Sequence, residues 1–68
     1  MQPNIFPERL KSARKTNKLT QKEVARHLNV HQSTYAGYEI GARKPSIDKL
    51  VVITELMGVE SDWLIGAV

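Results

Sequence analysis

Apolar residues recur along this chain in short bursts at helical spacing, and nowhere do they alternate as a half-buried strand requires. Pro7 suits a first helical turn, where its missing N–H costs nothing, and Leu10 and Ala13 continue an apolar stripe to about Asn17. Lys11, Lys15 and Lys18 then face outward. Thr20-Gln21-Lys22-Glu23 has the form of a capping box, in which the Thr20 hydroxyl and the Glu23 carboxylate each satisfy an orphan amide. It predicts a short second helix, with Val24, Ala25 and Leu28 inward and an end near Asn29. Asparagine is the best non-glycine residue for left-handed backbone, so Asn29 can stop that helix and turn the chain within a residue or two, with Val30 plugging the turn. A third helix is predicted over about residues 32–39, with Tyr35 and Tyr38 on its inner face. Residues 41–45 form a loop. Ser46 caps a fourth helix in which Ile47, Leu50, Val51, Ile53 and Met57 recur at helical spacing, and Gly58 stops it. Residues 61–65 make a last turn with Trp63 and Leu64 as core anchors.

The pattern is therefore all-α: a compact five-helix domain occupying residues 1–68 with no linker, repeat or low-complexity segment. A chain of 68 residues buries roughly 60% of its unfolded surface, so its margin of stability is thin. Without cysteine it has no disulfide, thiolate metal site or cysteine nucleophile. No apolar run is long enough for a secretory leader or a bilayer span, so a cytoplasmic chain without membrane contact is expected.

Charge changes the picture through its distribution. Residues 1–44 hold nine of the ten Lys and Arg against Glu8, Glu23 and Glu39, a balance of +6. Residues 45–68 set Lys49 against Asp48, Glu55, Glu60 and Asp62, a balance of −3. One part is suited to meet a polyanion and the other is not, although ordinary solvated lysines give the same imbalance.

Residues 20–39, TQKEVARHLNVHQSTYAGYE, resemble the helix-turn-helix of the phage repressor and Cro-like family, also called the xenobiotic-response-element family. The resemblance runs from Arg9 to Leu64. It takes in Arg14, the Leu19-Thr20-Gln21 start, the Arg43-Lys44-Pro45-Ser46 loop and the Asp62-Trp63-Leu64 ending. Two positions depart from the family's pattern: Asn29 stands where glycine is usual, and Ile40 replaces a polar residue that would contact a phosphate. The resemblance implies a second and third helix that present side chains to the major groove of operator DNA, and a transcriptional regulator, most often a repressor, working as a two-fold dimer.

On this reading the reading positions map onto Gln32, Ser33 and Gly37, with Thr34 and Ala36 nearby for methyl contacts. Glutamine carries a donor and an acceptor together and matches adenine N6 and N7; the plain alternative for Gln32 is an exposed helix-start residue. Gly37 contributes a missing side chain that lets the helix approach the bases. Gln21, Arg43, Lys44 and Lys22 are the expected phosphate contacts, with the Tyr35 hydroxyl as a further one if its ring does not belong to the core. Arg9 and Lys11 add attraction at longer range. Arg14 and Glu39 resemble the family's buried ion pair, against the alternative of a weak surface pair. Val52, Leu56 and Ile65, with Val68, are a candidate dimer face.

Other signals carry less. Glu23, His27 and His31 stand four apart, as metal ligands on one helix would, but the turn at Asn29 separates the histidines, and His31 is better placed to cap the third helix or to neighbour DNA. Gly37 and Gly41 match a membrane packing motif without its apolar context. No glycine-rich phosphate loop or recognised nucleophile motif is present. No enzyme activity, metal, cofactor or small-molecule ligand is expected. The competing class is an antitoxin-like or adaptor module that uses its acidic, apolar last third to hold another protein.

Overall fold

A computed structural model describes residues 5–66, which form five α-helices: α1 (Phe6–Thr16), α2 (Gln21–Leu28), α3 (Gln32–Ile40), α4 (Ile47–Met57) and α5 (Ser61–Ile65). No strand occurs among the described residues. Local chemistry accounts for most helix ends. Pro7 lies in the first turn of α1. The capping box of α2 is complete, with Glu23 N–H donating to Thr20 Oγ1 at 3.0 Å and Thr20 N–H to Glu23 Oε1 at 2.8 Å. Ser46 Oγ accepts from Lys49 N–H at the start of α4, and Gly58 ends that helix with a positive φ of 65°. His31 occupies the N-cap of α3 without a side-chain hydrogen bond.

α3 packs against both α1 and α2, α4 against α2 and α5, and α5 returns to α1. The centre holds Leu10 and Ala13 from α1, Val24, Ala25 and Leu28 from α2, and Tyr35 and Tyr38 from α3. Ile53 and Met57 of α4 and Leu64 of α5 close it. The two tyrosine rings meet edge to face, with centroids 5.9 Å apart. Each large apolar side chain enclosed here contributes roughly 1.5–3 kcal/mol of transfer free energy, so the few side chains α4 and α5 supply matter to a domain this small.

Two expectations of the core fail. Ile47 is 79% exposed and Val51 is exposed beside it, while Ile53 and Met57 of the same helix are buried. Apolar residues surround most of α4, so periodicity names more inward positions than the single contact arc of the helix can use. Trp63 is 41% exposed. Its indole lies under the Arg9 guanidinium, 5.0 Å from the ring centroid, and Arg9 also donates to the Trp63 carbonyl. Leu64 alone anchors α5 in the core.

Candidate nucleic-acid interface

The arrangement of α2 and α3 begins at one residue. Asn29 adopts φ 58°, ψ 44°. Asn29 N–H donates to Arg26 O at 3.1 Å and Val30 N–H to Ala25 O at 3.0 Å. These are the two bonds of a Schellman turn, and they return the chain sharply enough for α3 to lie across α2. Val30 packs partly buried on the core beneath the turn, and Ala25, buried, puts only a methyl group between the helices.

The inner side of α3 is fastened to α1 and α2 by charge. Glu39 is buried, and its carboxylate receives four hydrogen bonds. Oε2 accepts from Arg14 Nε at 2.6 Å and from the Tyr35 hydroxyl at 2.6 Å. Oε1 accepts from Arg14 Nη2 at 3.1 Å and from Gln21 Nε2 at 3.1 Å. Arg14 Nη1 also donates to Leu19 O, so one guanidinium ties α1, the α1–α2 turn and α3 together. Burial alone pushes the Glu39 carboxyl up, but the donors from Arg14, Tyr35 and Gln21 outweigh it and hold it below the usual carboxylate range. The bond with Glu39 raises Arg14 against its own burial. Burial first, and then the bond to Glu39, push the Tyr35 hydroxyl up. All three groups keep the protonation states that the network needs. Among the described residues no buried side-chain nitrogen or oxygen lacks a partner.

The outer side of α3 is open where the chain enters it. Gln32 and Ser33 are exposed, Thr34 and Ala36 are half-buried, and Ile40 at the far end is 77% exposed. Lys22 is exposed at the start of α2, and Arg43 and Lys44 are exposed after α3. The structure thus places Gln32, Ser33, Thr34 and Ala36 on one helix, along which the Arg43 stem lies.

Several expected contributors are placed differently. Tyr35 is fully buried with its hydroxyl committed to Glu39, so it cannot reach a phosphate. Gln21 is partly buried and directs its amide to Glu39, and no bond to Gln32 is formed. Gly37 gives no open approach to the helix backbone: it is buried under the aliphatic stem of Arg43. Arg9 is engaged with Trp63 and does not extend the cationic flank of α3. Val52 is exposed and Leu56 half-buried, but Ile65 lies with Phe6, Lys44, Pro45 and Leu50 around a shallow cleft. Leu50 is about 160° around α4 from Val52, so the three do not form one patch. Val68 lies outside the described residues. Glu23 is occupied in the capping box, and no group of three His, Cys, Asp or Glu side chains that could hold a metal ion occurs among the described residues. No described helix is long and apolar enough to cross a membrane.

Two contacts escaped the sequence. Asn17 Nδ2 donates to Ala13 O at 2.8 Å and to Met57 O at 3.0 Å, joining the ends of α1 and α4. Lys49 Nζ donates to Leu28 O at 2.7 Å, capping α2 from α4. Both depend on residues distant in sequence, and no local signal marks them.

A short left-handed turn that sets two half-buried helices across one another, inside a five-helix frame, defines a helix-turn-helix domain. Residues 10–64 match the helix-turn-helix family model, and the chain belongs to that family, in its phage repressor and Cro-like branch. Similar proteins include the HTH-type transcriptional regulator ImmR of Bacillus subtilis, 39% identical over 59 residues, which are 87% of this chain and 46% of ImmR. The uncharacterized HTH-type transcriptional regulator YobD of the same organism is 37% identical over 62 residues, 91% of this chain and 55% of YobD. The chain spans about half the length of the curated relatives it matches. A transcriptional regulator from Listeria innocua superposes with a TM-score of 0.89 at 33% identity, covering 98% of this chain and 63% of that one. The restriction-modification controller protein C.AhdI from Aeromonas hydrophila superposes with a TM-score of 0.77 at 25% identity, covering 87% of this chain and 89% of its own.

Proposed function

We propose that this chain is a sequence-specific double-stranded DNA-binding domain that reads the major groove with α3, the reading head of a transcriptional repressor bound to its operator as a two-fold dimer. The observation that carries the reading is the two-sidedness of α3. Its inner face is locked by Tyr35, Tyr38 and the four-donor Glu39 carboxylate, while Gln32 and Ser33 stand exposed at its entry. A rigid helix of this width fits the major groove, and a glutamine there matches adenine bidentately. Ser33 donates or accepts beside it, and the half-buried Thr34 and Ala36 offer methyl groups on either side. The start of α2 supplies backbone amides and a helix dipole toward a phosphate, Lys22 adds charge in its first turn, and Lys44 after α3 is a further exposed cation.

A dimer follows from size. The longest extent of the domain is 32 Å, and half-sites read from one side of the duplex are roughly 34 Å apart. One copy covers one half-site. Val52, exposed on α4, with Leu56 one turn on, is the candidate for contact between copies.

The test is fluorescence anisotropy with a labelled random duplex at low and moderate salt. Strong binding that falls steeply with salt is expected, because each neutralised phosphate releases about one counterion. On the best selected site, Gln32→Ala relaxes preference at one base pair and leaves the salt slope unchanged. Light scattering then shows two copies per palindromic duplex. No affinity for DNA at low salt overturns the proposal in favour of a protein-holding adaptor, and binding by strict monomers to single half-sites removes the dimer.

A further inference from the structure

We propose that Arg43, although it follows α3 in the chain, is one of its base-reading side chains: it occupies the place that Gly37 leaves empty and selects a guanine in the major groove. The assignment rests on the major-groove reading above. At 3.6 residues per turn, position 37 falls about 40° around α3 from Ser33 and about 60° from Thr34. That is the outward arc, on which Gln32, Ser33 and Ile40 are all exposed. Gly37 is nevertheless buried. Its cover is Arg43. A Cβ placed on Gly37 would meet Arg43 Cδ and Cγ at 3.1 Å and Arg43 Cβ at 3.4 Å, so the arginine stem lies along the helix where a side chain of residue 37 would begin.

The backbone holds Arg43 in that seat. Gly37 O accepts from Ala42 N–H at 2.9 Å and from Arg43 N–H at 3.2 Å, wrapping the chain back over the last turn of α3. Gly41, at φ 79°, makes the reversal. The Arg43 guanidinium forms no ion pair with a carboxylate among the described residues, in contrast to Arg14. An arginine seated at two points, next to Ser33 and with its fork unengaged, differs from a mobile surface cation. The planar fork matches guanine O6 and N7 bidentately in a fixed geometry, which a lysine ammonium can reach only on a flexible stem, and a base contact is lost at one pair whereas a phosphate clamp is lost on every duplex. Alanine therefore separates the two roles. Gly37→Ala separates them again, because its Cβ would press on the Arg43 stem without touching the charge.

The experiment is selection of bound sites from a random duplex pool with the wild-type chain and the Gln32→Ala, Arg43→Lys, Arg43→Ala and Gly37→Ala variants, each checked by thermal melting. Arg43→Ala is expected to lose preference for one G·C pair, and Arg43→Lys and Gly37→Ala to weaken preference for that same pair. The rest of the motif is retained, and affinity for the wild-type site falls roughly ten- to hundred-fold. Gln32→Ala should relax a different position. An Arg43→Ala variant that still selects the full wild-type motif, or is weakened evenly on all duplexes, overturns the assignment and leaves the major-groove reading intact. A wild-type chain that selects no motif sinks that reading and this assignment together. Should Gly37→Ala melt early, Arg43→Ala still decides, since residue 43 is exposed.

Discussion

Glu39 shows how one residue can carry the position of a whole helix. A buried carboxylate is costly unless its lone pairs are met, and here four donors from three helices meet them. The pairing of Arg14 with Glu39 was accessible through resemblance to a known family. That Tyr35 and Gln21 join it was not: the resemblance points Gln21 to a phosphate, and places the Tyr35 ring on the inner face without saying where its hydroxyl goes. Their diversion has a plain cause: a desolvated anion attracts any donor within reach more strongly than solvent does. Lys18 is a second case. It sits at φ 57° after α1, with Lys18 N–H on Lys15 O and Leu19 N–H on Arg14 O. Nothing in lysine favours left-handed backbone, so the end of α1 is strained where a glycine would relax. Lys18→Gly should stabilise the domain by up to about 1 kcal/mol, part of the gain being offset by the greater freedom of glycine in the unfolded chain. In a domain of this length that corresponds to a rise of roughly 4–8 °C in melting temperature. A lowered melting temperature would show that the lysine stem contributes more than its backbone costs.

At the scale of elements, capping chemistry proved the most legible feature. Thr20 with Glu23, Asn29, Ser46 and Gly58 each place a helix end where local hydrogen bonding demands it. Faces were less legible. α3 has one charged and aromatic side, and its orientation could be read; α4 is apolar over most of its circumference, and its contacts with α2 and α5 select which residues go inside. Ties between elements were not legible at all. Asn17 holds the C-terminal end of α1 to that of α4 through the Met57 carbonyl, 40 residues away. Asn17→Ala removes both hydrogen bonds and leaves Met57 O to water, a loss of about 1–2 kcal/mol by urea unfolding. Because α4 does not touch the entry of α3 through this tie, affinity for DNA under folding conditions should stay at the wild-type level. An unchanged unfolding midpoint would mean that the tie contributes nothing.

For the whole molecule, stability and charge are linked through the same network. Glu39 and the capping carboxylate Glu23 both sit below their ordinary value of 4.5 in the folded chain. A carboxyl with a depressed native pKa adds stability that is full above its unfolded value and is lost as pH falls through the native one. Unfolding midpoints should therefore hold steady down to about pH 4.5 and decline below it. Tyr35 has the opposite sign: its raised pKa leaves stability intact below its ordinary value of 10.0 and erodes it as pH rises beyond. A domain equally stable on both sides of the acid boundary would show that the Glu39 donors merely offset its burial.

What the sequence determined alone was local: five helices in order, their caps, the left-handed turn at Asn29, and a basic first two-thirds ahead of an acidic remainder. Each of these depends on residues within a turn or two of one another, where hydrogen-bond and steric rules act without knowledge of the rest of the chain. The tertiary structure alone decided which arc of α4 is inside, that Tyr35 and Gln21 converge on Glu39, and that Arg43 lies over Gly37. Those outcomes are competitions among partners brought together by folding. A buried charge gathers its donors, and an arginine settles on the one position of a helix that offers it no side chain to avoid.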